Sequence, residues 1–222
     1  VDAWDAHAAQ RLADGPLRPL EPSARMEWTQ RPGIGPGAEI LGGDLAGRRV
    51  VELGCGPGHN AAHLTSLGAK VTGVDRSKGQ IERALAHYGR HGTEFVHSRA
   101  LDYLTRESEC LDGIVSVFGA IGLDEPSTLL GACSRRLGRK GVLAFSVPHP
   151  QRTGTIPVSP RTRDRMTLPD GTAATVDRWD IDPAAWVRSL NRAGLLITSV
   201  HNLFAPADAR WPTTLLITAR KP

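Results

Sequence analysis

The chain has 222 residues, of which 40% are hydrophobic and 23% charged, with a formal net charge of +4 at neutral pH. That length and apolar content argue for one full core and a single domain over residues 1–222. No apolar run nears the ~20 residues that a membrane span needs, and the opening "VDAWDAHAAQR" lacks the apolar centre of a secretory leader, so a cytoplasmic setting without a membrane partner is expected. Cys55, Cys110 and Cys133 form no CxxC pair, which argues against a disulfide framework and a zinc site, and no metal is expected. Arginine supplies nearly all the positive charge and is spread along the chain with no long basic arm, which disfavours nucleic acid as a partner.

In chain order, "WDAHAAQRLA" reads as a helix and "RPGIGPG" as a loop, both within an N-terminal segment of about 45 residues that must lie across the domain. A lid over a ligand site and a cover for the sheet edge are the two readings of that segment. From residue 49 short apolar runs alternate with amphipathic ones. "RVVEL" is a strand; "HNAAHLTSLGA" is a helix with Leu64 and Leu67 on one face; "KVTGVD" is a strand. "KGQIERALAHYG" is a helix with Ile81, Leu85 and Tyr88 in register. "TEFVHS", "DGIVSVF" and "GVLAFSV" are three further strands, the last two separated by a helix at "PSTLLGACSRRLG". Strands apolar on both faces belong in a parallel sheet covered by helices on both sides.

After "SVPHP" an insert at 151–181 is rich in Pro, Arg and Thr, with Asp170-Gly171 as a hairpin turn in "RMTLPDGTAATV". "PAAWVRSLNRAG" is a helix that Asp182 caps. "LLITSVHNLF" and "TTLLITARK" close the chain as an antiparallel pair.

The first strand runs into Gly54-Cys55-Gly56-Pro57-Gly58, with Glu52 just before it. A strand–glycine turn–helix unit puts backbone N–H groups at the carboxyl edge of a sheet, where ligands bind. The dinucleotide fingerprint GxGxxG fits poorly, because its third glycine position falls on His59.

"VVELGCGPGHNAAHLTSLGAKVTGVDRSKGQIERA" resembles the cofactor-binding half of class I, Rossmann-like S-adenosylmethionine-dependent methyltransferases. The likeness continues through "FVHSRALDYL", "LDGIVSVFGAIGLDEP", "LGRKGVLAFSVPHP" and "PTTLLITARKP", and so covers most of the chain from about residue 36. It implies a seven-stranded, mostly parallel sheet of order 3-2-1-4-5-7-6 with the last strand antiparallel. It also implies S-adenosyl-L-methionine as cofactor, with S-adenosyl-L-homocysteine as product. That cofactor carries an amino acid end, a ribose diol and an adenine, and no phosphate. Gly54, Gly56 and Gly58 would let the backbone approach it, with Cys55 as a small filler and Asn60 opening the helix. Glu52 would place the amino acid end and Asp75 would accept from the diol. Arg76, Ser77 and Gln80 follow at positions that line ribose and adenine. Where the family commonly has an acid after the third strand, this chain has Arg99-Ala100, followed by Leu101. Asp102 from another angle, or Arg99 stacked on the base, are the substitutes.

The reacting edge then lies beside Ser116, Val117 and Phe118 and at Pro148-His149-Pro150. The chain lacks the Asn/Asp-Pro-Pro-aromatic element of nucleic-acid amino-methyltransferases and the Pro-Cys nucleophile of cytosine C5 enzymes. A small-molecule acceptor remains, methylated on O or N, and the resemblance implies a setting in specialised or cofactor metabolism, specialised metabolism being the expected one. His149 is the candidate general base. Trp28, Phe118, Arg161, Arg163 and Trp179 are candidate substrate contacts, under cover of residues 1–45 and 151–181. An RNA methyltransferase using the Arg-rich insert, and a protein that binds the cofactor without methylating, are the alternatives; monomer and homodimer both stay open.

Overall fold

In the computed structural model, which describes residues 3–222, the chain opens with α1 (Ala3–Ala13) and reaches its first strand, β1 (Arg49–Leu53), only after a long strap. α2 (His59–Ser66), β2 (Lys70–Asp75), α3 (Lys78–Tyr88), β3 (Glu94–His97), α4 (Ala100–Arg106), β4 (Leu111–Val117), α5 (Pro126–Arg136) and β5 (Leu137–Pro148) follow in strict alternation. β6 (Arg161–Thr167) and β7 (Ala173–Trp179) form the hairpin, and α6 (Pro183–Arg192), β8 (Leu196–Leu203) and β9 (Thr214–Arg220) complete the fold. The main sheet has the order β3-β2-β1-β4-β5-β9-β8. β1 to β5 pair in parallel and β9 pairs antiparallel with both neighbours, as expected once the separate β6–β7 hairpin is left out of the count.

Alternate residues of the central strands feed two cores. Val51 and Leu53 of β1, Ile114 of β4 and Phe145 of β5 join one cluster, in which Phe145 meets Trp186 of α6 at a ring separation of 5.0 Å. Val50, Val115 and Ala144 point the other way, into a cluster closed by Leu41, Met26 and Trp28. Each fully buried Leu, Ile or Phe contributes about 1.5–3 kcal/mol, so the sheet is fixed by both faces at once.

Three local expectations are corrected. Leu67 lies just past α2 and is exposed, and Leu85 of α3 is also exposed; the buried stripe of α3 is Gln80, Ile81, Ala84 and Tyr88. α4 has no counterpart in the sequence reading, because a seven-residue helix with only Ala100 and Leu104 buried carries little periodic signal. β5 runs well N-terminal of "GVLAFSV", starting at Leu137. Among the described residues no helix is long and apolar enough to cross a membrane.

Two peripheral pieces reach the carboxyl edge of the sheet. The strap from α1 to β1 runs over α2 and α3: Leu20 N–H donates to His87 O, the His63 ring pairs with Ser23 O, and the Asn60 side-chain amide pairs with both the N–H and the C=O of Glu27. The hairpin is tied to the sheet by Trp179 N–H donating to Gly122 O, and by Arg152, which bridges Asp164 and the buried Asp180. α1 packs on α3 and touches β7, so it links the α3 side of the sheet to the hairpin.

Candidate functional site

The glycine turn after β1 is held by contact with the turn after β4. A Cβ on Gly54, at φ +78°, would fall 2.6 Å from Gly119 Cα, and one on Gly119 would fall 2.3 Å from Leu53 O. Two side-chain-free residues are therefore required for the loops to meet. Gly56, at φ +53°, differs: a Cβ there would have nothing within 4 Å, so its open side forms part of a cradle. Phe118, just past β4, has φ +48°, a strained value for a non-glycine residue, and its N–H donates to Ser146 O at 2.9 Å.

Behind this turn lies a cavity of about 480 Å³. Glu52, Gly54, Cys55, Gly56 and Asn60 line it from β1 and the start of α2; Asp75, Arg76 and Gln80 from β2 and α3; Arg99 and Ala100 from α4; and Val117 and Phe118 from the end of β4. Asp75 is locked in place: Oδ2 accepts from Gly56 N–H and Oδ1 from Ser77 N–H, both at 2.8 Å. Burial nevertheless raises its pKa, outweighing those two bonds. Glu52 is buried more deeply, and burial raises its carboxyl to about 8; the Ala61 N–H and the Asn60 amide pull the other way and the Asp75 charge adds to the rise. Its Oε2 has no hydrogen-bond partner among the described residues. A buried acceptor without a donor costs roughly 1–3 kcal/mol, and a ligand that brings an N–H removes that cost. Burial likewise pushes the Cys55 thiol well above its ordinary range, which suits a filler and no nucleophile.

Four of the expected cofactor residues stand behind the wall. Gly58 faces inward, where a Cβ would meet the Phe95 ring at 2.7 Å. Ser77 Oγ caps α3 by accepting from Gln80 N–H. Ser116 Oγ donates to Leu53 O and accepts from Ile121 N–H, fixing the turn after β4 from beneath. Leu101 packs against the main core. Asp102 is exposed and outside the cavity; the acid near Arg99 is Asp124, which lines the cavity with a pKa raised by burial and opposed by Arg99 and Arg76. The neighbouring Glu125 is committed to capping α5 through Ser127 and Thr128 N–H.

Residues 51–145 match the family described as "Methyltransferase domain". This segment is similar to methyltransferase domains. It includes the whole glycine turn and both carboxylates. A ubiquinone biosynthesis O-methyltransferase of Nitrosococcus oceani is 33% identical over 106 residues, 46% of this chain and 44% of the relative. The chain spans about half the length of the curated relatives it matches. Among solved structures, an S-adenosylmethionine-dependent methyltransferase of Mesorhizobium loti superposes with a TM-score of 0.63 at 21% identity, covering 82% of this chain and 95% of that one. A Burkholderia thailandensis 1,6-didemethyltoxoflavin N1-methyltransferase, solved with S-adenosylhomocysteine, gives 0.61 at 19% identity over 83% and 76%. These two likenesses are of fold.

Around the matched segment the expected acceptor-side residues are mostly elsewhere. Phe118 is at the cavity. Trp28 is fully buried in the core, its indole N–H donating to Gly37 O. Arg161 and Arg163 lie on the exposed face of the hairpin against Asp177, with Arg161 over the Trp179 ring at 6.0 Å. His149 is buried at the end of β5, and both ring nitrogens are engaged: Nδ1 accepts from Gln151 N–H at 3.1 Å, which leaves Nε2 to donate to Asn202 Oδ1 at 3.2 Å. With its lone pair spent on the backbone, the ring is not set up to take a proton. In their place stand Trp4, His7 and Arg11, one stripe of α1, with Arg83 of α3. The i, i+3, i+7 spacing of that stripe is legible in the sequence; its direction is not.

Proposed function

We propose that this chain binds S-adenosyl-L-methionine in the cavity behind the glycine turn and transfers its methyl group to an oxygen or nitrogen of a small-molecule metabolite. The observation that carries the reading is the pair of carboxylates, buried Glu52 and half-buried Asp75, facing one cavity with the open side of Gly56 in the turn beside them. Asp75, clamped by two N–H groups, keeps lone pairs for a ribose diol. The unpartnered Oε2 of Glu52 suits the ammonium of an amino acid end. Gln80, Arg99 and Ala100 line the side assigned to the nucleoside, and Val117 and Phe118 the side assigned to the methyl.

When bound, the cofactor supplies an electrophilic methyl on a sulfonium. The task of the chain is to align the acceptor and exclude water. α1 and the 151–181 insert serve as cover, so residues 1–222 act as one unit in this reading. The name of the Nitrosococcus relative is a ubiquinone-biosynthesis O-methyltransferase, which favours oxygen as the accepting atom and cofactor metabolism over specialised metabolism as the setting. The hairpin arginines give no support to an RNA acceptor, since Asp177 faces two of them.

The test is methyl-labelled S-adenosylmethionine with the purified chain and two cell fractions, small metabolites and total RNA. Label in the metabolite fraction is expected. Label in RNA alone overturns the acceptor class, and absence of S-adenosylhomocysteine binding by calorimetry overturns the whole reading.

A further inference from the structure

The cavity is electrically lopsided. Its floor at the glycine turn is acidic, with Glu52 and Asp75. The wall under α1 is basic: His7 and Arg11 come from α1 and Arg83 from the facing side of α3. These three are close enough for their charges to act on one another. Arg83 and Arg11 both lower the His7 pKa, after burial, and Arg11 lowers that of Arg83. The charge of Asp14 opposes that of Arg11 at Arg83. Asp14 pairs with Arg11 at 3.5 Å near the exposed end of the helix. Arg83 Nη1 donates to Gln80 Oε1 at 2.9 Å, a neutral partner. Arg83 Nε and His7 Nδ1 are buried without a hydrogen-bond partner among the described residues. Trp4, one turn before His7, adds a flat wall to the same cavity.

Half-buried guanidinium with an unspent donor is costly, and a carboxylate is the group that best matches its fork. We propose that the gap between α1 and α3 is an oxyanion-binding subsite, built from Arg83, Arg11 and His7, that takes a carboxylate or comparable acid group on a flat methyl acceptor. This rests on the proposed methyltransferase function only for calling the ligand an acceptor.

Benzoate and its uncharged amide, benzamide, separate charge from ring. Both are titrated by calorimetry into the chain alone and into the chain saturated with S-adenosylhomocysteine. Benzoate should bind at least about tenfold more tightly than benzamide, and Arg83→Gln and Arg11→Gln should each remove most of that difference. Arg83→Lys should restore part of it. Arg11 is exposed, so its variant tests the idea even where Arg83→Gln fails to fold. Equal binding of the two probes, or benzoate binding that survives both variants, overturns the subsite. S-adenosylhomocysteine and 5′-methylthioadenosine, which lacks the amino acid end, identify the source of the acid. If Arg83→Gln weakens only the former, the acid group belongs to the cofactor and the acceptor assignment is overturned. If S-adenosylhomocysteine fails to bind the unaltered chain, the methyltransferase reading falls, while the benzoate–benzamide difference on the chain alone still decides the subsite.

Discussion

Gln10 and Asp170, 160 positions apart, are joined by two hydrogen bonds: Gln10 Nε2 donates to Asp170 Oδ2 at 2.8 Å, and Asp170 N–H donates to Gln10 Oε1 at 3.0 Å. They fasten α1, which lines the cavity, to the turn of the β6–β7 hairpin. Both bonds are exposed, so together they are worth roughly 1 kcal/mol. Gln10→Ala should leave global stability nearly unchanged while amide exchange speeds up in 3–13 and 168–173, and S-adenosylhomocysteine should dissociate several-fold faster. Exchange confined to its original rate in both segments would show that they move independently.

Asp75→Asn keeps the volume but turns an acceptor into a donor toward the diol and weakens the clamp on Gly56 and Ser77. Hydrogen bonds to a charged group are worth about 1.5–3 kcal/mol, so affinity should fall by roughly 10–100-fold for S-adenosylhomocysteine and for 5′-methylthioadenosine alike. Unchanged calorimetric affinity for both would place the ribose elsewhere.

Under the proposed function, Glu52 makes cofactor binding proton-linked. Its carboxyl, raised to about 8 by burial, is mostly protonated at neutral pH in the free chain. Pairing with an ammonium requires the ionised form, so binding releases a proton, and affinity should climb as pH rises and level off above about 8. Calorimetry in two buffers of different ionisation heat measures the proton directly; Glu52→Gln should abolish the release.

His149 should matter to stability and not to turnover. Burial lowers its pKa below 6.5, so the unfolded chain takes the proton first. Stability is therefore present above pH 6.5 and is lost as pH falls below it. His7 and His59, also lowered, add to the same slope. His149→Gln should melt at a lower temperature at neutral pH, with a shallower decline toward pH 5, yet keep the pH profile of the methyl-transfer rate. A profile that flattens at neutral pH would restore the ring as a base.

Gly119→Ala should be among the most damaging single changes. Its Cβ would sit 2.3 Å from Leu53 O, and backbone on both sides leaves nowhere to shift. Loss of S-adenosylhomocysteine binding with a large drop in melting temperature is expected; a well-folded, fully binding variant would mean that the two turns separate at little cost.

The sheet was legible because buried parallel strands are written as apolar runs, and a polar residue at the end of such a run, Glu52 or Asp75, stands out. Helix faces were harder. Leu85 is apolar but exposed, while Gln80 is polar but buried, since Ala8 of α1 comes to rest beside Gly79 at the start of α3. His149 lies at the active edge in sequence order, yet Asn202, 53 positions later, occupies its ring. Trp4, His7 and Arg11 were visible as a helix; only long-range packing turns that stripe toward the cavity. Asp164, Asp180 and Arg152, which anchor the hairpin, carry no local signature at all.

The methyltransferase match ends at residue 145, and two pieces lie outside it: α1 before, whose Trp4, His7 and Arg11 line the cavity, and the hairpin with its Arg152 anchor after, which holds α1 through Asp170. The engine and the gate are thus separate cassettes, meeting at a few polar contacts such as Asn60–Glu27 and Gln10–Asp170. If the proposed function holds, acceptor choice can drift with the outer cassettes while the methyl-donor seat stays fixed, and exchanging residues 3–30 and 151–181 between relatives becomes a practical route to retargeting the activity.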